Sequence, residues 1–322
     1  PLELYPPAMN FLDCLQRSLS ENDRVLIYTT RPAVKTELYL PMGDQIIVKR
    51  IASYTQDLAV AKRMFQYLRY YLFSFLQCIR FRPSKVLYYE TISSFTPYLL
   101  MKWPGSRIEL FIHYHEYMNA EEYSRMFLNK IFHRLERKIY GRAKWISHTN
   151  KYRMQLFLKD LEEPVLTNIF IFPNYPPAAW VFPARDKITR PVKLVYVGAM
   201  GSLESLYLRE TFEWIRCKSG AILLDIYSFN LSDDIKRFGT EMSCAFITWK
   251  GSAAYSELPD LLKQYDIGLI LYKGTSSNII YSASNKLFEY IACGLDVWYP
   301  DELKGSREYD SPTCWPKVVP LD

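Results

Sequence analysis

The sequence predicts an α/β protein built from two doubly wound halves. Three observations carry that expectation. Short apolar runs alternate with amphipathic runs of helical period along the whole chain, the pattern of parallel strands covered by helices. The alternation stops once, at "PNYPPAAWVFPARDKITRP" (173–191), where five prolines sit in a stretch without periodicity, and then restarts. With 322 residues, 49% of them hydrophobic, the chain suits two cores better than one. The expected organisation is therefore 1–172, a Pro-rich hinge over 173–191, and 192–322.

In the first half, "PLELYPPAMNFLDCLQRSL" reads as a turn and then a helix, so the first strand is expected to lie among residues before Pro1. Strands follow at 24–30 and 44–51, and a long amphipathic helix at 58–81. Further strands are expected at 85–90 and 107–117, and apolar residues at helical spacing predict one helix over 120–143, ending near Gly141. A strand at 144–149, a helix through "RMQLFLKDL" and a last strand-like "NIFIFPN" complete this half. In the second half, "KLVYVGAMG" (193–201) is a strand entering a glycine turn, with a helix over "LESLYLRETFEWIRCK". Strands "AILLDIYSF" and "SCAFITWKG", the helix "SELPDLLKQYD", the strand "IGLILYKG", and a final helix and strand in "YSASNKLFEYIACGLDVWYP" (281–300) follow in order.

Composition narrows the function classes. Charged residues at 23% with ordinary Gly and Pro exclude a disordered or low-complexity chain. The six cysteines form no CxxC pair, which fits a reducing cytosol. No signal peptide is visible, and the longest apolar stretch, "YYLFSFLQCI", is too short to span a bilayer. The expected location is cytoplasmic, with peripheral attachment to the inner face of the plasma membrane left open. The net charge of +6 is uneven: the first 172 residues carry +8 and the rest −2. The basic residues Lys62, Arg63, Arg69, Arg80 and Arg82 alternate with Phe65, Tyr67, Tyr70, Tyr71, Phe73 and Phe75 in the 58–81 helix. That mixture suits an anionic membrane surface, and equally a core helix with a solvated basic face. No nucleic-acid-binding fold motif is present.

Three stretches of the second half point to one anionic ligand. Gly198 and Gly201 let backbone N–H groups approach a phosphate at the start of a helix, although the spacing is not GxGxxG and a plain tight turn reads the same way. Gly251 closes one strand and Tyr272 another, and the carboxyl ends of strands in open α/β sheets are where ligands sit, so both are candidates for a nucleobase shelf. Ser284 and Asn285 open the last helix, with Asn285 as the candidate cap. Lys286 in its first turn can face a diphosphate, and Glu289, one turn on, can accept from two sugar hydroxyls. A surface Lys–Glu pair would show the same spacing.

These stretches, "PNYPP", "LVYVGAMG", "YSELPDLLKQYDIGLILY" and "SASNKLFEYIACG", resemble the GT-B fold glycosyltransferases, nearest to glycosyltransferase family 4 (group 1). The resemblance covers essentially the whole chain and is most specific from about 190 to 300. It implies two Rossmann-like domains facing each other across a cleft, with the donor in the second. It also implies Glu289 on the ribose, Lys286 near the diphosphate, and nucleotide-diphosphate sugars as the donor class, with no separate cofactor. Two departures stand out. Tyr281 occupies the place of an earlier glutamate, and "GLDV" stands where "G-x-P-V" is usual. The chain also ends soon after, so the family's closing helix is expected to be shortened or rearranged.

In the first half, "FIHYHEYM" (111–118) ends a strand. His113 and His115 share a strand face, with Glu116 opposite unless the strand stops first. The HxH spacing invites a zinc reading, but no HExxH is present and His133 and His148 add no ligand pattern, so no metal site is expected. There is no DxD triplet either. By resemblance, His115 and Glu116 lie near the transferred sugar or acceptor hydroxyl, with His113 beside them. Glu116 would be the general base if the reaction inverts; retention, which the family implies, needs none. The function expected is metal-independent transfer of a sugar to a sugar hydroxyl of a lipid-linked or bacterial cell-surface polysaccharide. A nucleotide-sugar epimerase and a non-catalytic binding subunit are the alternatives.

Overall fold

The computed structural model describes residues 1–322 apart from 33–37, 42, 52–58, 162–165, 184–189, 230 and 322. The chain divides into two compact units, one of residues 1–148 and 156–172, the other of 149–155 and 173–322.

The first unit opens with α1 (Pro6–Ser18), whose two leading prolines take positions where no backbone donor is needed. Strands β1 (Val25–Thr30) and β2 (Ile46–Ile51) form a parallel pair. Helix α2 (Val60–Phe81) follows, then β3 (Lys85–Tyr89), α3 (Phe95–Lys102) and β4 (Glu109–Tyr114). The single helix expected over 120–143 is broken into α4 (Ala120–Arg125), α5 (Phe127–Glu136) and a 3₁₀ segment, Arg137–Arg142. Met126 is the break, with φ −110° and ψ 108°. Asn119 and Glu122 form a reciprocal capping box at the start of α4, each side chain accepting the other's backbone N–H at 2.9 and 2.8 Å. Strand β5 (Ala143–His148), α6 (Lys151–Leu161) and β6 (Ile169–Ile171) close the unit. Strands β3 to β6 form one parallel sheet in sequence order, over a core of Leu110, Ile112, Ile139 and Ile146.

The second unit holds a six-stranded sheet whose described strands are all parallel. Its elements are β7 (Val192–Val197), α7 (Leu208–Arg216), β8 (Ile222–Tyr227), α8 (Asp233–Glu241), β9 (Ile247–Gly251), α9 (Leu258–Leu262) and β10 (Ile267–Leu269). The chain continues through α10 (Ser277–Ile280), α11 (Asn285–Ala292), β11 (Asp296–Pro300) and β12 (Val318–Leu321). The sheet order is β12-β11-β10-β7-β8-β9, so the direction of winding reverses between β7 and β10. That point is where open α/β sheets hold ligands, beyond the carboxyl ends of the strands. Two buried layers cover the sheet, one around Tyr290, Leu287 and Val297 and the other around Phe212, Ile226 and Leu194.

The described part of the Pro-rich stretch is packed rather than loose. Trp180 is buried among the residues of the Tyr290 layer, Phe182 donates its N–H to the Ala292 carbonyl at 2.8 Å, and Tyr175 meets Phe288 edge to face. Residues 184–189 of that stretch, and Leu58 of the expected long helix, lie outside the described residues.

Candidate functional site

The site is built on α11 and the switch between β7 and β10. Tyr290 fixes the helix there. Its ring lies against Gly268 in the middle of β10, where a Cβ would meet the ring at 2.2 Å, so no other residue fits that strand position. Its hydroxyl accepts the N–H of Val197 at the end of β7, at 3.1 Å. This clamp brings the start of α11 beside the loop that leaves β7.

Lys286 then projects over Gly198. A Cβ on Gly198, whose φ is +145°, would meet the lysine Cε at 2.5 Å and Nζ at 2.6 Å. The ammonium donates to the Tyr272 hydroxyl at 2.5 Å and lies 4.8 Å from the Tyr272 ring centre and 5.5 Å from that of Tyr196. Burial pushes the Tyr272 phenol upward, but the charge and hydrogen bond of Lys286 outweigh it and hold it below its ordinary value. Tyr272 therefore grips Lys286 through its hydroxyl.

Glu289 is 8% exposed. Burial pushes its carboxyl up to about 7, with Lys286 pulling the other way. Among the described residues no group hydrogen-bonds its side-chain oxygens, and those oxygens are not sealed from solvent. A buried carboxylate with no donor is costly unless something supplies the donors.

The helix cap differs from the expected one. Ser284 is the N-cap, with φ −64° and ψ 145°, and Asn285 is the first helical residue. The Ser284 hydroxyl does not cap the helix, so it stands at the helix start with the first-turn N–H groups. Gly251 ends β9 with φ +82° and accepts the Ser228 N–H at 2.7 Å; it is exposed with open space where a Cβ would be. Gly201 is also exposed and open. No helix begins after it: a 3₁₀ turn, Leu203–Ser205, and a bridge from Leu206 to Tyr272 intervene before α7. The helix start beside Gly198 is that of α11, which follows it by more than eighty residues, so sequence proximity pointed to the wrong helix.

In the first unit, β4 ends at Tyr114, so His115 and Glu116 leave the strand alternation. His113 is 2% exposed; its Nδ1 lies 2.8 Å from the Ser147 hydroxyl and its ring meets Tyr89 and Phe172 edge to face. Burial and the neighbouring His115 push it down to about 3, so it is neutral throughout the physiological range. His148 stacks on Tyr114 in the same core. His115 is half-buried against Tyr5, and Glu116 is exposed. Sequence reasoning missed the residue that holds this turn. Glu90, at the end of β3, accepts the backbone N–H groups of both His115 and Glu116 on one oxygen, at 2.7 and 3.0 Å. It does so from φ 62° and ψ 151°, a backbone region that side chains other than glycine rarely adopt. An acidic residue just past a strand was the only signal. Among the described residues no three His, Cys, Asp or Glu side chains gather as a ligand set.

No family model matches the sequence, and no curated protein is similar to it. Solved structures do match. The sucrose-phosphate synthase of Thermosynechococcus elongatus superimposes with a TM-score of 0.58 at 14% identity, over 89% of this chain and 73% of the other. The fold is GT-B. A glycosyltransferase of Rickettsia africae matches with a TM-score of 0.56 at 13% identity, over 87% of this chain and 80% of its own. The UDP-GlcNAc 2-epimerase of Neisseria meningitidis, solved with UDP-GlcNAc, matches at 0.52 and 12% identity, over 92% and 79%. Sugar transfer and sugar epimerisation thus both occur on this GT-B frame, and at these identities the likeness speaks for fold alone.

Proposed function

We propose that the chain is a glycosyltransferase that takes its sugar from a nucleoside-diphosphate donor held at the start of α11. The observation that carries this reading is Glu289, a buried carboxylate without a protein donor, one helical turn from an ammonium held over a glycine. The two hydroxyls of a ribose supply the donors that Glu289 lacks. The diphosphate meets Lys286, the free N–H groups of the first helical turn and the Ser284 hydroxyl. The charge that develops on the leaving diphosphate is met by the same groups, with no metal or other cofactor in the scheme. Glu116 and His115, on the turn that Glu90 holds, serve the acceptor, which we take to be a sugar hydroxyl on a lipid-linked or surface polysaccharide. The order of bond changes follows a retaining course in this proposal, with the donor phosphate accepting the acceptor's proton.

Thermal melting with UDP, GDP, ADP, CMP and TDP, each with and without EDTA, tests the donor site. One nucleotide at a hundred times its dissociation constant should add about 2.7 kcal/mol of stability. The Lys286→Ala and Glu289→Gln variants should lose that shift, and EDTA should leave it intact. No response to any nucleotide, or a response unchanged in both variants, sinks the assignment. The matching epimerase structure favours a second reading with the same donor site. Product analysis separates the two, because a transferase releases the nucleotide and an epimerase returns an altered nucleotide sugar. A binding subunit would do neither.

A further inference from the structure

The first turn of α11 hangs on the turn before it. Tyr290 anchors the second half of that helix, but Ser284 and the N–H groups that follow are delivered by α10 and residues 281–283. A four-residue helix such as α10 has little stability of its own, and its carbonyls need partners. Each of them finds one. The Tyr281 N–H serves the Ser277 carbonyl at 3.1 Å, and the Ser282 N–H and hydroxyl serve that of Ile279 at 3.1 and 2.9 Å. Those donors are local. The rest arrive from distant segments. Arg153 Nη2 donates to the Asn278 carbonyl at 2.8 Å, the Asn150 amide to the Tyr281 carbonyl at 2.8 Å, and the Gly305 N–H to the Ile280 carbonyl at 3.0 Å.

Asn150 and Arg153 lie in the segment Thr149–Gln155, which belongs to the second unit, unlike the rest of α6. Asn150 is fully buried and Arg153 is 5% exposed. The Asn150 Oδ1 accepts the Arg153 N–H at 2.9 Å, and its amide points at Tyr281. Arg153 spreads its fork over the Asn278 carbonyl, the Asn278 Oδ1 at 2.5 Å and the Thr149 hydroxyl at 3.1 Å. The Gly305 backbone packs so closely on the same turn that a Cβ there would run into the Ser282 carbonyl. Lys151 and Glu308, 3.1 Å apart, tie the two bracing segments together. Backbone N–H groups hold an anion well only when they are aimed beforehand, because ordering them during binding costs affinity. Resting on the donor site proposed above, we infer that Asn150 and Arg153 are positioning residues for the donor diphosphate. They hold the turn between α10 and α11 so that Ser284 and the first N–H groups of α11 are aimed before the ligand arrives. Neither residue touches the ligand in this scheme.

Two measurements on the full chain test it. The first needs no ligand: hydrogen exchange over residues 285–288 should be about tenfold faster in Arg153→Met than in the wild type, with exchange in β7 and β10 unchanged. The second is titration of UDP, GDP, ADP and TDP well below the melting temperature. Whichever binds the wild type should bind Arg153→Met about tenfold more weakly, the scale of one charged hydrogen bond. Methionine replaces the arginine stem without its donors, and Arg153→Lys, which keeps a donor, should recover most of the affinity. Asn150→Asp still accepts the Arg153 N–H but offers Tyr281 no donor, so it should also weaken binding. Should these buried variants fail to fold, Asn278→Ala removes one acceptor of the fork from a half-buried site and should reduce affinity about threefold. A purely structural pair would lower the melting temperature and leave the affinity of the folded chain unchanged. That result overturns the inference, as does unchanged exchange at the start of α11, and both leave the donor site standing if Lys286→Ala still abolishes binding. Faster exchange in Arg153→Met with no nucleotide bound by the wild type would instead sink the donor site, and with it the assignment of this brace to a ligand.

Discussion

Two buried carboxylates in this molecule have opposite surroundings. Glu136 in the first unit is fully buried and accepts from the Tyr88 hydroxyl at 3.1 Å and the Thr91 hydroxyl at 2.7 Å, with His133 Nδ1 at 3.2 Å. Thr91 is bonded in turn to Tyr123, whose ring stacks on His133 at 4.0 Å. Glu289 in the second unit is nearly as buried, yet the chain offers it no hydrogen bond among the described residues, only the charge of Lys286. The first is a closed network that joins β3 to α5. The second is half of an interaction. Burial does not separate these two acids; the donors around them do.

The comparison breaks most visibly on stability. Glu136→Ala leaves several buried donors without an acceptor and should destabilise the fold by about 4 kcal/mol. Glu289→Ala removes a carboxylate that accepts no hydrogen bond among the described residues, and should leave the ligand-free melting temperature at pH 8 unchanged or raised. Denaturant titration of both variants is the check. Equal losses would mean that Glu289 is a structural residue like Glu136.

The next effect is on pH dependence. The folded chain holds the Glu289 carboxyl at about 7 against an ordinary 4.5, because of burial. Between those values the folded state keeps a proton that the unfolded state has released. Stability must therefore fall as pH rises from about 5 to about 7, then level off. The size is about 3 kcal/mol. The Glu289→Gln variant should lack this slope, while a slope that persists in it would assign the titration elsewhere. Nucleotide binding runs the other way: if ribose hydroxyls favour the ionised form, affinity should rise with pH up to about 7 in the wild type and stay flat in Glu289→Gln.

A smaller effect tests how Lys286 is placed. A methyl group at Gly198 would lie 2.5 Å from its Cε and 2.6 Å from its Nζ, so Gly198→Ala should displace the ammonium. Nucleotide affinity should drop by about 2 kcal/mol, the scale of one charged hydrogen bond. Combining Gly198→Ala with Lys286→Ala should add little, because both remove the same contact. Isothermal titration decides, and additive losses would separate Gly198 from Lys286.

Much of this was legible in the sequence because it rests on local periodicity. The alternation of strands and helices, the break at the prolines, and the Lys286–Glu289 spacing all belong to one segment each. What was missed depends on contacts between distant segments. Tyr272 looked like a platform at a strand end, and only the arrival of α11 shows that it holds Lys286. Gly201 looked like half of a phosphate loop, but the helix expected after it starts seven residues later, at Leu208. The short α3, α8 and α10 and the edge strand β12 escaped because their stretches are too short or too polar to show a period. The break at Met126 is invisible in an apolar pattern that continues through it.

Glu90 sets the finest contrast with Glu289, because one oxygen of its carboxylate accepts two backbone N–H groups while its backbone is strained. The φ of 62° costs a non-glycine residue about 1 kcal/mol or more, and the two N–H groups of the His115–Glu116 turn offset that cost. Two substitutions separate these contributions. Glu90→Ala keeps the strain and loses both acceptors, so it should destabilise by about 2 kcal/mol. Glu90→Gly loses the same acceptors but relieves the backbone, so it should be about 1 kcal/mol more stable than Glu90→Ala. If the turn serves the acceptor, both variants should lose transfer activity alike while their nucleotide affinity stays at the wild-type level. Activity that instead followed stability, with Glu90→Gly ahead of Glu90→Ala, would reduce Glu90 to a scaffold residue and remove the His115–Glu116 turn from the reaction.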